Sequence, residues 1–133
     1  MSENLDLVRS IYADWERGDF SRADWFDPEI EFVRADGPAP GSWRGLKGMA
    51  EGYRDFLSNW DDYRMQGDEF REVDDERVFV LVHATGRGKA SGVELGETWS
   101  KSAAVFRVKA GRVTMIIHYF DRDRALADLG LER

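Results

Sequence analysis

The segment 99–120 places the tightest constraint on what this chain can fold into. Two runs rich in β-branched and aromatic residues flank a short polar break that contains Gly111. Because such side chains fit a pleated sheet, the segment predicts a β-hairpin with arms of about nine residues. Gly111 suits the left-handed position of a three-residue loop, which a residue with a Cβ enters only at a cost.

The second arm of this hairpin, residues 112–120, is apolar except for Thr114 and His118. A strand that is apolar on both faces is typical of a central strand covered on each side. Alternation along the strand puts His118 on the same face as Ile116 and Phe120. His118 is the unusual residue of this strand, and it is the first candidate for a functional group.

Length and charge limit the classes of function. A chain of 133 residues is expected to form one domain, residues 1–133, with a sizeable core. The net charge of −7 argues against nucleic acid or an anionic membrane as a partner, although solubility alone also explains it. The absence of cysteine excludes disulfides, a thiolate zinc site and a cysteine nucleophile. With no signal peptide and no long apolar run, we expect a cytoplasmic protein.

Helices are predicted in the first half of the chain. Residues 3–17 carry an apolar stripe at helical spacing, and Gly18 suits the helix end. A short second helix would carry Ala23, Trp25 and Phe26 and stop at Pro28. A third helix follows Gly45.

Strands dominate the second half. The predicted strands are 29–34, 63–73, 76–86, 93–108 and 112–120. Residues 35–41 are predicted to form a stiff loop, and the tail after residue 121 a terminal turn or a short helix. Helices first and strands afterwards indicate an α+β fold, with helices laid on one face of an antiparallel sheet.

Four motifs stand in order along the chain: VRSIYADWERGDF at 8–20, FDPEIEF at 26–32, WRG at 43–45, and VFRVKAGRV at 105–113 leading to YFD at 119–121. In this order the chain resembles the nuclear-transport-factor-like superfamily, in its SnoaL-like branch. The resemblance implies a cone-shaped, curved antiparallel sheet wrapped around three N-terminal helices, with an internal apolar cavity. Relatives include polyketide cyclases, ketosteroid isomerases, epoxide hydrolases and dehydratases, besides non-catalytic binding modules, so function stays open.

By resemblance to the isomerases, the face that carries His118 looks into the cone. An imidazole there suits general acid–base catalysis, and the alternative is a neutral core histidine satisfied by one hydrogen bond. Glu31 is the second catalytic candidate. If its face of the strand is the cavity, Glu31 is a partly buried base; if not, it is an ordinary surface glutamate.

The departures from the catalytic relatives are also informative. Matching the isomerase motifs by position puts Val33 and Ala104 where acidic residues would act, and Ile11, beside Tyr12, where a tyrosine would act. Ketosteroid isomerisation by that mechanism is therefore not expected. Arg34 and Asp36 have a spacing suggestive of the epoxide hydrolases, but they lie at a strand end. The two histidines are far apart, so no metal-ligand spacing exists and no metal site is expected. The acid–base chemistry proposed for His118 needs no cofactor, and none is expected.

Aromatic residues would form the wall of the cavity, although core packing is the alternative explanation for each. The candidates for substrate binding are Tyr12, Trp15, Tyr53, Phe56, Trp60, Phe106 and Phe120. The sequence thus predicts a cofactor-independent protein that acts on or binds a hydrophobic small molecule, with Glu31 or Tyr12 orienting His118 for proton transfer. The alternative is a non-catalytic module for small-molecule binding or dimerisation.

The predicted outer face of the sheet carries Val105, Met115, Ile117 and Tyr119. This is more apolar surface than a solvated sheet face usually has. A homodimer that buries this face is therefore expected, and the resemblance implies the same.

Overall fold

The computed structural model describes residues 3–19, 24–36, 40–57, 60–88 and 101–130, with the backbone alone at 53, 55–57, 60–62 and 87–88. Its elements, in chain order, are α1 (Glu3–Glu16), β1 (Phe26–Arg34), β2 (Gly41–Arg44), α2 (Gly45–Leu57), β3 (Trp60–Glu72), β4 (Arg77–Gly88), β5 (Lys101–Lys109), β6 (Arg112–Tyr119) and α3 (Arg122–Leu129). The long strands agree with the prediction, except that 93–100 lies outside the described residues. The short strand β2 was not predicted.

The six strands form one curved, unclosed sheet in the order β2-β1-β6-β5-β4-β3. The α+β cone fold is confirmed, but the sheet is mixed, because β1 pairs with β6 in parallel. All other neighbours are antiparallel. The prediction of a wholly antiparallel sheet was wrong here because β1 and β6 are not consecutive strands joined by a hairpin, so no tight turn forces them to run in opposite directions.

The helices differ from the prediction in their positions. Trp25 lies in a turn and Phe26 already begins β1, so the predicted second helix does not extend over these two residues, and residues 20–23 lie outside the description. Pro28 is tolerated inside β1 because the pairing with β6 is irregular between Phe26 and Glu31, where a missing N–H costs no ladder bond. The third described helix is α3 at the C-terminal end, which the predicted tail helix had anticipated.

The turn between β5 and β6 is tighter than predicted. Lys109 pairs with Arg112, which leaves a loop of two residues, Ala110 and Gly111. Both have positive φ, 53° and 76°, as a type I′ turn requires. The three-residue loop was therefore wrong, because Ala110 also enters the left-handed region despite its Cβ.

Replacing Ala110 with asparagine should raise the free energy of unfolding by up to about 1 kcal/mol, because asparagine tolerates the left-handed region better than alanine. Urea unfolding at 25 °C measures the change. Lys109→Asn is the matched control, since Lys109 lies in regular strand, where asparagine brings no gain. A less stable Ala110→Asn variant would contradict the expectation.

The sheet has an apolar cluster on each face. The larger cluster lies on the inner face, where α1 covers it with Val8, Ile11, Tyr12 and Trp15. The smaller cluster lies on the outer face and consists of Phe79, Ala103, Val105 and Tyr119, packed with Ala125 and Leu126 of α3. The chain's own C-terminal helix therefore covers part of the outer surface that favoured a homodimer.

Candidate functional site

His118 lies on the inner face of the sheet, between two neighbouring strands. In the register it stands beside Arg34 of β1 and Ala104 of β5. The residue is 6% exposed, and its ring stacks on Phe120 with centroids 5.0 Å apart. Within the described part of the chain, its Nε2 atom is buried and has no hydrogen-bond partner. A buried nitrogen of this kind costs free energy unless a ligand or water satisfies it.

The surroundings of His118 keep its ring neutral. Burial first, and the nearby positive charge of Arg34 second, lower the pKa of His118 to about 4. Burial in apolar surroundings disfavours the charged form of an imidazole, which is why the pKa falls. At neutral pH the imidazole is therefore uncharged and is able to accept a proton or to donate one hydrogen bond.

Arg34 is a buried cation that sequence reasoning had left at a strand end. It is 6% exposed and follows Ile30 and Phe32 on the inner face of β1. Its Nη2 donates to the carbonyl oxygen of Gly52 at 2.9 Å, and its guanidinium lies 4.8 Å from the centroid of the Trp43 ring. The alternation of β1, continued one step beyond Phe32, is the signal that could have placed Arg34 inside.

Gly52 of α2 allows this arrangement. A Cβ at this position would lie 2.9 Å from the Trp43 ring, which is closer than real Cβ contacts. The absence of a side chain lets α2 approach the ring closely and brings the carbonyl of Gly52 within reach of Arg34. The close approach explains a glycine inside a helix, where it otherwise costs stability.

Tyr63 of β3 is a third polar group near the same cation. Its side chain is buried, and burial raises its pKa above the ordinary value, while Arg34 partly offsets the rise. The phenol is therefore neutral at physiological pH. Sequence reasoning did not single out Tyr63. It lies on the inner face of β3 together with Met65, which is two residues further along the strand and is also buried.

Asp36 has a structural role at the end of β6. Its carboxylate accepts hydrogen bonds from the backbone N–H of Phe120 at 2.6 Å and of Asp121 at 3.3 Å. The neighbouring Ala35 N–H donates to the carbonyl of His118 at 2.9 Å. These bonds fix the strand end that carries His118 and Phe120. The sequence had suggested Arg34 and Asp36 as a pair because of their spacing. In the structure Asp36 instead binds backbone N–H groups at the end of β6, whereas Arg34 is a buried cation.

Glu31 does not join this group. The register places it beside Met115 on the outer side of the sheet, and its side chain is 40% exposed. An oxygen of its carboxylate accepts a hydrogen bond from Arg44 at 2.9 Å. Of the two alternatives for Glu31, the structure shows the surface glutamate. In β1 the even-numbered residues from Ile30 to Arg34 point to the inner face, so Glu31 points to the outer face.

Three of the predicted wall aromatics pack against one another. Tyr12 meets Trp15 and Phe106 edge to face, with centroids 5.0 and 5.6 Å apart. All three are at most 3% exposed, which agrees with the core-packing alternative. Phe120 instead contacts His118 directly. The side chains of Tyr53, Phe56 and Trp60 lie outside the description.

A pocket of about 140 Å³ opens on the outer face of the sheet, away from His118. Its lining consists of Arg77, Val105, Arg107, Met115, Ile117, Tyr119, Asp128 and Leu129. The inner cavity expected from the resemblance stays a prediction. Among the described residues there is no cluster of side chains that could hold a metal ion, and no helix is long and apolar enough to cross a membrane.

Comparison with protein families decides the relationship. The model of the SnoaL-like domain matches residues 8–116, which is most of the chain. The chain belongs to the SnoaL-like domain family. The predicted resemblance to this family is confirmed, whereas no curated protein matches the chain.

Solved structures agree with a SnoaL-like fold. An NTF2-like protein of unknown function from Burkholderia pseudomallei has a TM-score of 0.77 at 23% identity, with 96% of this chain and 97% of that chain covered. The structure of TerC, co-crystallized with polyporic acid, has a TM-score of 0.75 at 20% identity, covering 96% and 98%. A hypothetical protein with a ketosteroid isomerase-like fold from Catenulispora acidiphila, in complex with trimethylamine, has a TM-score of 0.70 at 13% identity, with 96% of this chain and 94% of that chain covered. At these identities the likeness establishes the fold alone.

Proposed function

We propose that this SnoaL-like chain binds a hydrophobic small molecule at the inner face of its sheet and exchanges a proton with it through His118. The observation that carries the proposal is the buried Nε2 of His118, which has no partner among the described residues. The proposed reaction needs no cofactor, because a neutral imidazole is itself able to take up or hand over a proton.

The surroundings of His118 support this role. Its ring is stacked on Phe120, and its backbone carbonyl accepts a hydrogen bond from the Ala35 N–H, so the position of the imidazole is restricted. A base held in one orientation reacts at a defined atom of its ligand, which is the main advantage of a preorganised site. Burial keeps the base unprotonated at neutral pH and therefore ready to accept a proton.

A non-catalytic binding module is the second candidate, and one observation favours it. Glu31 lies on the opposite face, and Ala104, the β5 neighbour of His118, has no polar side chain to orient a reaction. A histidine without an acidic partner is a weaker catalyst than one in a His–carboxylate pair. Loss of turnover without loss of binding in a His118 variant distinguishes the two candidates.

His118→Ala and His118→Gln should both abolish turnover, while ligand affinity changes less than about tenfold. Glutamine keeps a hydrogen-bonding group but cannot titrate, so an acid–base role predicts that it is as inactive as alanine. The measurement is turnover and calorimetric affinity for a ligand found by screening hydrophobic compounds. The similar structure of TerC was co-crystallized with polyporic acid, which supports including that compound in the screen.

The matched control is His83→Gln. His83 lies half-buried on β4, beside Lys101 of β5, and it alternates with inner-face Val82 and Ala84. The same chemical change at this site should leave turnover intact. If His118→Gln keeps full activity, His118 is structural and the binding module is the better account.

The homodimer remains a proposal. Val105 and Tyr119 are buried beneath α3, but Met115 and Ile117 are only half-buried on the same face. These two residues are the apolar surface that a second copy would cover.

A further inference from the structure

The pocket on the outer face of the sheet has no part in the proposed function, and its lining changes from one end to the other. Arg107 of β5 pairs in the register with Arg77 of β4 and with Met115 of β6, so two cations lie side by side at one end. The next row along the same strands pairs Val105 with Ile117. Both belong to the outer apolar cluster, so the middle of the pocket is apolar.

The two cations differ in whether the protein neutralises them. Arg77 pairs with Asp74 at 2.8 Å, and Glu31, two strands from Arg107 in the same row, pairs with Arg44 at 2.9 Å. Arg107 is exposed, and its side chain has no ion pair or hydrogen bond with any residue that the structure describes. Like charges directly opposite each other on neighbouring strands destabilise a sheet, so an anion bound beside Arg107 would relieve that repulsion.

The other end of the pocket is acidic. The hydroxyl of Tyr119 donates to Oδ2 of Asp128 at 3.0 Å. Tyr119 lies four residues beyond Met115 on β6, which separates the two ends by about 13 Å of strand. A second anionic group at this end would be repelled by the carboxylate of Asp128, so the lining favours a ligand with a negative charge at one end alone.

We infer that this outer pocket is a separate small-molecule site, which binds a compact apolar monocarboxylate. The carboxylate lies against Arg107, and the apolar body lies over Val105 and Ile117. The volume of about 140 Å³ is smaller than the pockets of drug-sized ligands and suits one ring with a short substituent. Leu129 of α3 forms a wall beside the sheet, so the ligand lies in a depression and not on a flat face.

A second copy of the chain would cover the same surface, and charge favours the small acid. Two copies carry a net charge of −7 each, whereas a monocarboxylate carries −1. Repulsion grows with the product of the charges and is therefore weaker for the acid. The acid and the second copy compete for Met115 and Ile117, so an experiment that observes Met115 separates them.

Methionine methyl groups labelled with ¹³C report on the two faces of the sheet separately. Met115 lines the outer pocket, whereas Met49 and Met65 are buried in the inner cluster. The Met115 signal is assigned by its loss in Met115→Leu. When 4-isopropylbenzoate is added to the full chain at neutral pH, we expect the Met115 signal to shift and to saturate.

Two compounds of matched shape test the charge requirement. 4-Isopropylbenzamide is neutral, and benzene-1,4-dicarboxylate replaces the apolar end of the ligand with a second anionic group. Each should bind at least about threefold more weakly than 4-isopropylbenzoate, because charge-assisted hydrogen bonds are stronger than neutral ones, although solvent weakens them at an exposed arginine.

Variants assign the preference to one side chain. Arg107→Gln should bind 4-isopropylbenzoate no more tightly than the amide, because it removes the cation and keeps a hydrogen-bond donor. Arg112→Gln is the matched control, since it removes the same charge from an exposed position of the same hairpin that does not line the pocket. This control should bind the acid like the unaltered protein. Both side chains are exposed, so neither substitution opens a cavity in the core.

Three results would overturn the inference. The first is equal affinity for the acid and the amide in the unaltered protein, a comparison that needs no variant. The second is a shift of Met49 and Met65 with an unmoved Met115, which would place the acid on the inner face. The third is a Met115 signal that shifts with protein concentration and not with the acid, which would show a second copy on this surface. None of these results involves His118, so the proposed function is tested separately.

Discussion

Replacing Trp15 with alanine is expected to lower the free energy of unfolding by about 3–5 kcal/mol, the usual cost of emptying a buried aromatic site. Trp15 is 3% exposed and belongs to the inner cluster. Its ring lies 5.0 Å from that of Tyr12 and 6.2 Å from that of Phe106, so truncation would remove contacts to both α1 and β5. The helix would lose one of its buried aromatic contacts with the sheet.

Urea unfolding followed by circular dichroism at 25 °C measures this loss. Trp15→Phe serves as the comparison, because a smaller aromatic ring keeps part of the packing and should cost less than alanine. A loss below about 1 kcal/mol for Trp15→Ala would mean that the side chain lines an open cavity. The sequence predicts the same cost for Trp60, whose side chain lies outside the description.

Acidification is expected to destabilise the protein through His118 by up to about 3 kcal/mol. The pKa of His118 is lowered to about 4 in the folded chain, against about 6.5 when unfolded. Between these values the unfolded chain binds a proton that the folded chain does not. Stability is therefore complete above pH 6.5, falls as the pH drops towards 4, and loses no more through His118 below that value.

The difference between two proteins isolates this contribution. Carboxyl groups titrate over part of the same pH range, but their protonation changes the unfolding free energy of the unaltered protein and of His118→Gln by the same amount. Unfolding free energies measured from pH 7 to pH 4 should therefore fall more steeply for the unaltered protein. Equal slopes for the two proteins would show that His118 is not held neutral by burial.

Alternation along β6 predicted which residues share a face with His118, and the resemblance to the isomerases supplied the inward direction of that face. The segment 112–120 is long and strongly patterned, and it is joined to its neighbour β5 by a short turn marked by Gly111. Local signals of this kind determine which side chains share a face. The apolar stripe of α1 was predictable for the same reason, because the helical period repeats over four turns.

Arg34 was missed because its burial depends on residues outside its own strand. A charged residue that precedes a loop rich in glycine and proline is usually exposed. Here Trp43 of β2 and Gly52 of α2 contact it. These contacts form only when β2 and α2 pack against β1, so the local sequence around Arg34 does not predict them. The parallel pairing of β1 with β6 was also not predictable from the sequence, because no pattern in residues 26–34 specifies which distant strand β1 will join.

The parallel pairing of β1 with β6 also determines when the site comes into existence. Strands β3 to β6 follow one another as neighbours and can assemble as a meander, but β1 must wait for the last strand of the chain. The Asp36 carboxylate reaches the N–H of Phe120 across 84 residues of sequence. Contacts of this span are slow to form. On the ribosome, Arg34 therefore stays without His118 until β6 has been synthesised, and the site forms only when that strand pairs with β1.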